Sequence, residues 1–170
     1  MAKGITVTSS IITISGNTGE TVAGTMAEEQ IPLSLDILNR EVLLVYAVDL
    51  NSANPQSVPG VTTTVQSSLS STTRATVGTI ANTNVLAAGR KQISSSAPGD
   101  SIGFEDVSPE TPASNSLDYI GIVSTNDFFV QVQGTNQPLT CSVDWRMWCA
   151  RAKVTADIYA ALVQGETLSA

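Results

Sequence analysis

Short runs in which apolar and polar residues alternate, broken by Ser, Thr, Gly, Asn and Pro, fill most of this chain. A two-residue period is that of a strand with one buried face. Gly4 to Ile14 is rich in Ile, Val and Thr, which suit a pleated surface. Ser15-Gly-Asn-Thr-Gly19 after it reads as a turn. Glu20 to Gln30 is weakly patterned, so residues 1–30 are a candidate arm. Pro32 has no N–H to give to a ladder and predicts the start of a strand or an edge position. Glu41-Val-Leu-Leu-Val-Tyr-Ala-Val-Asp-Leu50 is the clearest strand. Both its faces are apolar in the middle, which predicts a central strand covered on both sides. Asn51 to Gly60, with its Pro, Asn and Gly residues, is a loop.

Val61 to Leu69 and Arg74 to Ile80 predict two more strands, while Val85 to Ile93 fits a strand or a short helix. Pro98 to Ser116 reads as a long loop, a kind that is often functional. Leu117 to Ser124 and Phe128 to Gln133 predict strands, and Gly134 to Pro138 a turn. Thr140 to Val154 is a long strand. Its positions Cys141, Val143, Trp145, Met147 and Cys149 form an apolar face, with Ser142, Asp144 and Arg146 on the other. Thr155 is placed to cap a short helix, Ala156 to Gln164, with Gly165 at its C-terminal end. About eight strands joined by short polar turns give the profile of one all-β domain over residues 1–170, a single jelly roll or β-sandwich.

Composition narrows the chemistry. The chain has no His, so Ser-His and Cys-His catalytic pairs are excluded. It holds neither a phosphate-cradling Gly-x-x-x-x-Gly-Lys loop nor a dinucleotide-binding Gly-x-Gly-x-x-Gly. A two-carboxylate glycosidase stays open on composition, although aromatic sugar platforms are scarce. Charged residues make up only 14% of the chain, against roughly a quarter in an ordinary soluble domain. The net charge of −7 opposes binding to phosphate backbones. The longest dense apolar run, Val42 to Val48, is too short to span a bilayer, and the N-terminal residues lack the apolar core of a secretory signal.

Individual residues carry four further expectations. On one strand, Cys141 and Cys149 would stand about 26 Å apart at ~3.3 Å per residue, against the ~7 Å a disulfide tolerates, so both are expected as free, small apolar residues. Asp100, Glu105, Asp106 and Glu110 are weak candidate ligands for calcium, which takes carboxylate and carbonyl oxygens. A solvated acidic loop is the ordinary reading, and no other cofactor is expected. Trp145 belongs to the core. Trp148, with Arg146 and Arg151, is a candidate subunit contact, since Trp and Arg are favoured at interfaces.

The lysines are only Lys3, Lys91 and Lys153, although soluble β proteins often guard exposed edges with Lys. A Ser-, Thr- and Val-rich β chain of this size, with little charge and no enzyme motif, resembles the single jelly-roll coat proteins of icosahedral viruses. Phage capsid cement proteins are similar in size and composition. Asn39-Arg-Glu-Val-Leu-Leu-Val-Tyr-Ala-Val-Asp49 and Ala150-Arg-Ala-Lys-Val-Thr-Ala-Asp-Ile-Tyr-Ala160 look like the paired long strands and terminal element of such subunits. The resemblance implies a self-assembling capsid subunit without catalysis, or alternatively a decoration protein. It would be made in a host cytoplasm without a signal peptide and would reside in the virion. Its partners would be copies of itself and other virion proteins. Many coat proteins have a basic N-terminal arm, but here Lys3 is the only basic residue before Arg40, so direct nucleic-acid contact is not expected. A lectin-like sandwich that grips carbohydrate through calcium and loops is the alternative of a different class.

Overall fold

The structure is a computed structural model that describes residues 4–95, 102–107, 110–112 and 117–169. Its strands are β1 (Ile5–Val7), β2 (Ile12–Gly19), β3 (Ala27–Pro32), β4 (Glu41–Ser52), β5 (Thr63–Ser70), β6 (Val85–Ser95), β7 (Ile102–Val107), β8 (Glu110–Pro112), β9 (Gly121–Val123), β10 (Asp127–Thr135) and β11 (Ser142–Val154). A 3-10 turn spans Ile37–Asn39, and one helix, α1 (Ala156–Ser169), follows the last strand.

The chain is wound as one long hairpin. β2 pairs with β11, β3 with β10, β4 with β8 and β9, and β5 with β6, all antiparallel. Rolling that hairpin up lays β11 beside β4 and β10 beside β5. One sheet then runs β2-β11-β4 with β8 and β9 at its far edge, and the other runs β3-β10-β5-β6-β7. This nested order is a jelly roll.

The main core lies between the sheets, where Leu43, Val45, Val48 and Leu50 of β4 meet Val65, Leu69, Val130 and Val132. Trp145 and Phe128 meet edge to face there, centroids 5.6 Å apart and planes at 90°, a favoured aromatic geometry. A second, smaller cluster sits on the opposite face of the first sheet. Ile5, Val42, Leu44, Ala152 and Val154 are covered there by Ile158, Tyr159 and Leu162 of α1. These two clusters explain why β4 is apolar on consecutive residues. They also explain why Cys149 and Ala150, neighbours on β11, are both buried. The register between β4 and β11 steps from Trp148↔Ala47 to Cys149↔Val45, leaving Tyr46 unpaired as a bulge that packs on the second cluster.

Several elements differ from the sequence pattern. Ser15 to Gly19 is the body of strand β2, not a turn. The reason is packing: a Cβ on Gly16 would lie 2.6 Å from Trp145 Cζ2, so a glycine is what lets this strand lie against the indole. The segment named as a candidate arm, residues 1–30, contains β1, β2 and most of β3, which pair into the sheets. Pro32 ends β3, on an edge. Arg74 to Ile80 is irregular chain rather than a strand. It lies over the outside of the second sheet, where Gly78 N donates to Ser68 Oγ at 2.8 Å and Arg74 N donates to Glu28 Oε2 at 2.9 Å. Val85 to Ser95 is a strand. Within the loop expected at Pro98 to Ser116, 102–107 and 110–112 are strands, and the rest lies outside the described residues. α1 runs through Gly165, where nothing within 4 Å opposes a side chain.

Trp145→Ala should lower unfolding free energy by roughly 3–5 kcal/mol, the cost of large core truncations, in urea titrations. Gly16→Val should cost about 1–3 kcal/mol through overpacking against the same indole.

Candidate functional site

The outer face of β11 and its two neighbours forms a polar lattice, because β11 alternates from Ser142 to Cys149 and its inner positions there are filled by the core. Register sets Asn17, Asp144 and Asn51 in one row across the sheet, Ser15, Arg146 and Asp49 in the next, and Thr13, Trp148 and Ala47 in the third. Asn17 Nδ2 donates to Asp144 Oδ1 at 2.7 Å. A shallow groove of about 500 Å³ runs over the first two rows. Arg146 lies over the Trp148 ring, 5.8 Å from its centroid, within cation–π range. Lys91, reaching across from β6, stands 3.5 Å from Asn51 Oδ1 and 3.4 Å from Asn54 Oδ1.

The candidate contact residues divide. Trp148 and Arg146 come together on this face, with Trp148 half-buried. Arg151 is engaged within the chain. Its guanidinium pairs with Glu41 at 2.8 Å and donates to the carbonyls of Leu33 at 2.8 Å and Ser34 at 3.2 Å, pinning the chain between β3 and β4. The candidate calcium ligands are dispersed. Glu105 and Asp106 are adjacent on β7 and project to opposite faces, and Glu105 pairs with Arg90 at 2.9 Å. Glu110 belongs to β8 of the other sheet, opposite Asp49, and Asp100 lies outside the described residues. Among the described residues no three His, Cys, Asp or Glu gather as a metal site requires.

Sequence reasoning missed three buried or half-buried carboxylates. Glu20 is buried and accepts from Gly134 N at 2.8 Å and Cys141 N at 2.9 Å, clamping both ends of the β10–β11 turn. Glu28 accepts from Gln131 Nε2 at 2.9 Å as well as from Arg74 N, anchoring the covering loop. Glu166 of α1 accepts from Ser124 N at 3.2 Å and Ser124 Oγ at 2.7 Å, fastening the helix to the end of β9. Only distant partners make these contacts, so no local spacing announces them. Burial pushes the Glu166 carboxyl above its ordinary range, with nearby Asp127 adding to the rise, against the two Ser124 hydrogen bonds. Both thiols are free and buried. Burial, with Glu20 beside it, raises Cys141 to about 12. Burial raises Cys149 to about 11, against the pull of Arg151.

No protein-family model matches the chain, and no curated protein matches it. Among solved structures, a chain of Desmodium yellow mottle tymovirus is similar over 86% of this chain and 90% of that one, at 13% identity and a TM-score of 0.31. A TM-score of this size carries no argument about role. No helix among the described residues is long and apolar enough to cross a membrane.

Two outcomes follow from the titrating groups. A folded-state pKa raised above the unfolded value stabilises below the unfolded pKa, and that stability is lost as pH rises through the folded pKa. Docking of α1 should therefore tighten as acid protonates Glu166, through its raised pKa down to the ordinary carboxylate range, and Glu166→Gln should flatten that part of the stability-versus-pH curve in thermal melts. Iodoacetamide at mildly alkaline pH should leave Cys141 and Cys149 unmodified in the native protein and alkylate both after denaturation, read by mass spectrometry.

Proposed function

We propose that this chain is a virion structural protein, a self-assembling capsid subunit that acts by packing against copies of itself and other virion proteins, without catalysis. The observation that supports this most is a jelly roll whose edges and loop tips present apolar side chains with little charge. Leu38, Ile80 and Leu168 are 95%, 87% and 88% exposed, and Ile11, Val22, Ile102, Phe104 and Leu139 are more than half exposed. A solitary β-sandwich usually guards its edges with Lys or Pro and keeps apolar surface scattered. β2 and β7 contain neither residue. Burying such surface between subunits removes it from water at roughly 25 cal/mol per Å².

The subunit would meet neighbouring proteins rather than the genome. Arg90 and Arg151 are already paired with carboxylates, and the chain is acidic overall. A decoration role on a pre-built shell is the variant of the same reading, and residence in the virion goes with both.

The polar groove over Asn17, Asp49, Asn51 and Asp144 favours a second reading, a carbohydrate-binding sandwich. Against it, Arg146 covers the Trp148 face on which a sugar ring would stack.

Sedimentation velocity over a wide concentration range, followed by negative-stain imaging, tests the proposal. Large regular particles, or concentration-dependent oligomers, are expected. A 17.7 kDa monomer at every concentration would overturn it. Binding to immobilised neutral sugars that Asp144→Ala abolishes would establish the second reading.

A further inference from the structure

One lateral edge of the sandwich carries a more specific inference. β7 is the last strand of its sheet. It pairs with β6 on one side and with nothing on the other among the described residues. All six of its residues are exposed. Its sequence, Ile-Gly-Phe-Glu-Asp-Val, contains no Lys and no Pro that would block strand addition. The register with β6 fixes its faces. Ile102, Phe104 and Asp106 lie on the side of Ser95, Ile93 and Lys91, and Gly103, Glu105 and Val107 on the side of Ser94, Gln92 and Arg90. Ile102 and Phe104, 59% and 56% exposed, extend an apolar strip begun by Ile93.

We propose that this edge is closed by the same edge of a second copy, β7 against β7, antiparallel about a two-fold axis through Gly103. The proposal rests on the reading that the chain assembles with itself, and it names the surface. The sequence of the strand selects the occupant and the register.

A two-fold axis perpendicular to the sheet keeps each residue on its own face, so opposed residues must have the same parity. With Gly103 on the axis, Ile102 faces Phe104 of the second copy and Phe104 faces its Ile102. Glu105 and Asp106 then have no residue of the second copy's β7 opposite them, because that strand begins at Ile102. With Phe104 on the axis, Asp106 would face Ile102. With Glu105 on the axis, two carboxylates would oppose each other, which is destabilising. The other edge of the same sheet, β3, is a poorer partner. It carries Glu28 and Glu29 against Glu105 and Asp106, and it ends in Pro32. Strand addition supplies main-chain hydrogen bonds and would continue one sheet across both subunits.

Site-directed cross-linking tests the edge. Residues opposed across an antiparallel pair have Cα atoms about 4.5–5.5 Å apart, inside disulfide range. A side chain fits at Gly103, where the nearest atom to an added Cβ is Ser94 Cβ at 4.0 Å. The native thiols are buried and do not compete. Under mild oxidation Gly103→Cys should give a covalent dimer on a non-reducing gel, several-fold faster than Glu105→Cys, which has no copy of itself opposite. Adding Phe104→Lys to Gly103→Cys should suppress the dimer, and Phe104→Leu should keep it. Equal cross-linking at 103 and 105, or cross-linking unaffected by Phe104→Lys, would overturn the register. If the wild-type protein assembles in sedimentation while Gly103→Cys does not cross-link, the edge assignment fails and the assembly reading stands. If the wild-type protein is a monomer at every concentration and Gly103→Cys does not cross-link, both fail.

Discussion

The antiparallel pairing of β4 with β11 is the constraint on which the rest of the molecule depends. These two long strands share a ladder from Val143↔Ser52 to Lys153↔Glu41, and β1, β2, β8 and β9 pair directly with it. Toward the second sheet the pair presents Val45, Val48, Leu50, Val143, Trp145 and Met147. Away from it, at one end, the pair presents Val42, Leu44, Ala152 and Val154 to α1. The Tyr46 bulge adjusts the register between these two regions. A slip of one residue would turn the inner set outward and leave both clusters unmatched, so burial on two sides fixes the register twice.

Around that ladder, polar groups hold the irregular segments. Glu20 closes the turn between β10 and β11, Glu28 and Gln131 hold the loop that covers the second sheet, and Glu166 holds α1. Gln131 is fully buried, yet it donates to Glu28 Oε2 and Ser70 Oγ and accepts from Ser68 Oγ. A buried amide with its donors and acceptor matched stabilises one arrangement of the loop, whereas an unmatched one would cost about 1–3 kcal/mol. Buried Ser67 and Ser52 bond to each other at 2.8 Å between the sheets by the same logic. The low charge of the chain is thus compatible with a well-determined interior, because neutral hydroxyls and amides do much of the fixing.

The surface has the opposite character. Its outer polar lattice on β11 carries Asp49, Asp144 and Arg146, whereas the β7 edge has no Lys or Pro and several loop tips are apolar. A protein whose buried polar groups are matched almost throughout, Gln137 Nε2 being the exception among the described residues, and whose periphery is apolar has free energy to gain at contacts with other molecules. That asymmetry connects the fold to the assembly role proposed for it.

The sequence by itself determined the all-β class, the strand Glu41–Leu50 with both faces covered, and the inward face of Cys141 to Cys149. A two-residue period and a doubly apolar run depend only on neighbours along the chain. It also placed Trp145 inside and Trp148 outside. It did not determine that Ser15 to Gly19 is strand, because the reason is an indole 129 residues away from Gly16 in the chain. Arg74 to Ile80 has a strand-like composition but lies as a cover over Ser68 and Glu28, since the sheet beneath already has its strands. The pattern brought Trp148 and Arg146 together but did not separate Arg151 from them, because its partners, Glu41 and the carbonyls of Leu33 and Ser34, come from another part of the chain. Local pattern sets which faces of an element are apolar. Only the tertiary structure decides what covers them, because long-range pairing in a jelly roll joins residues that no spacing along the sequence relates.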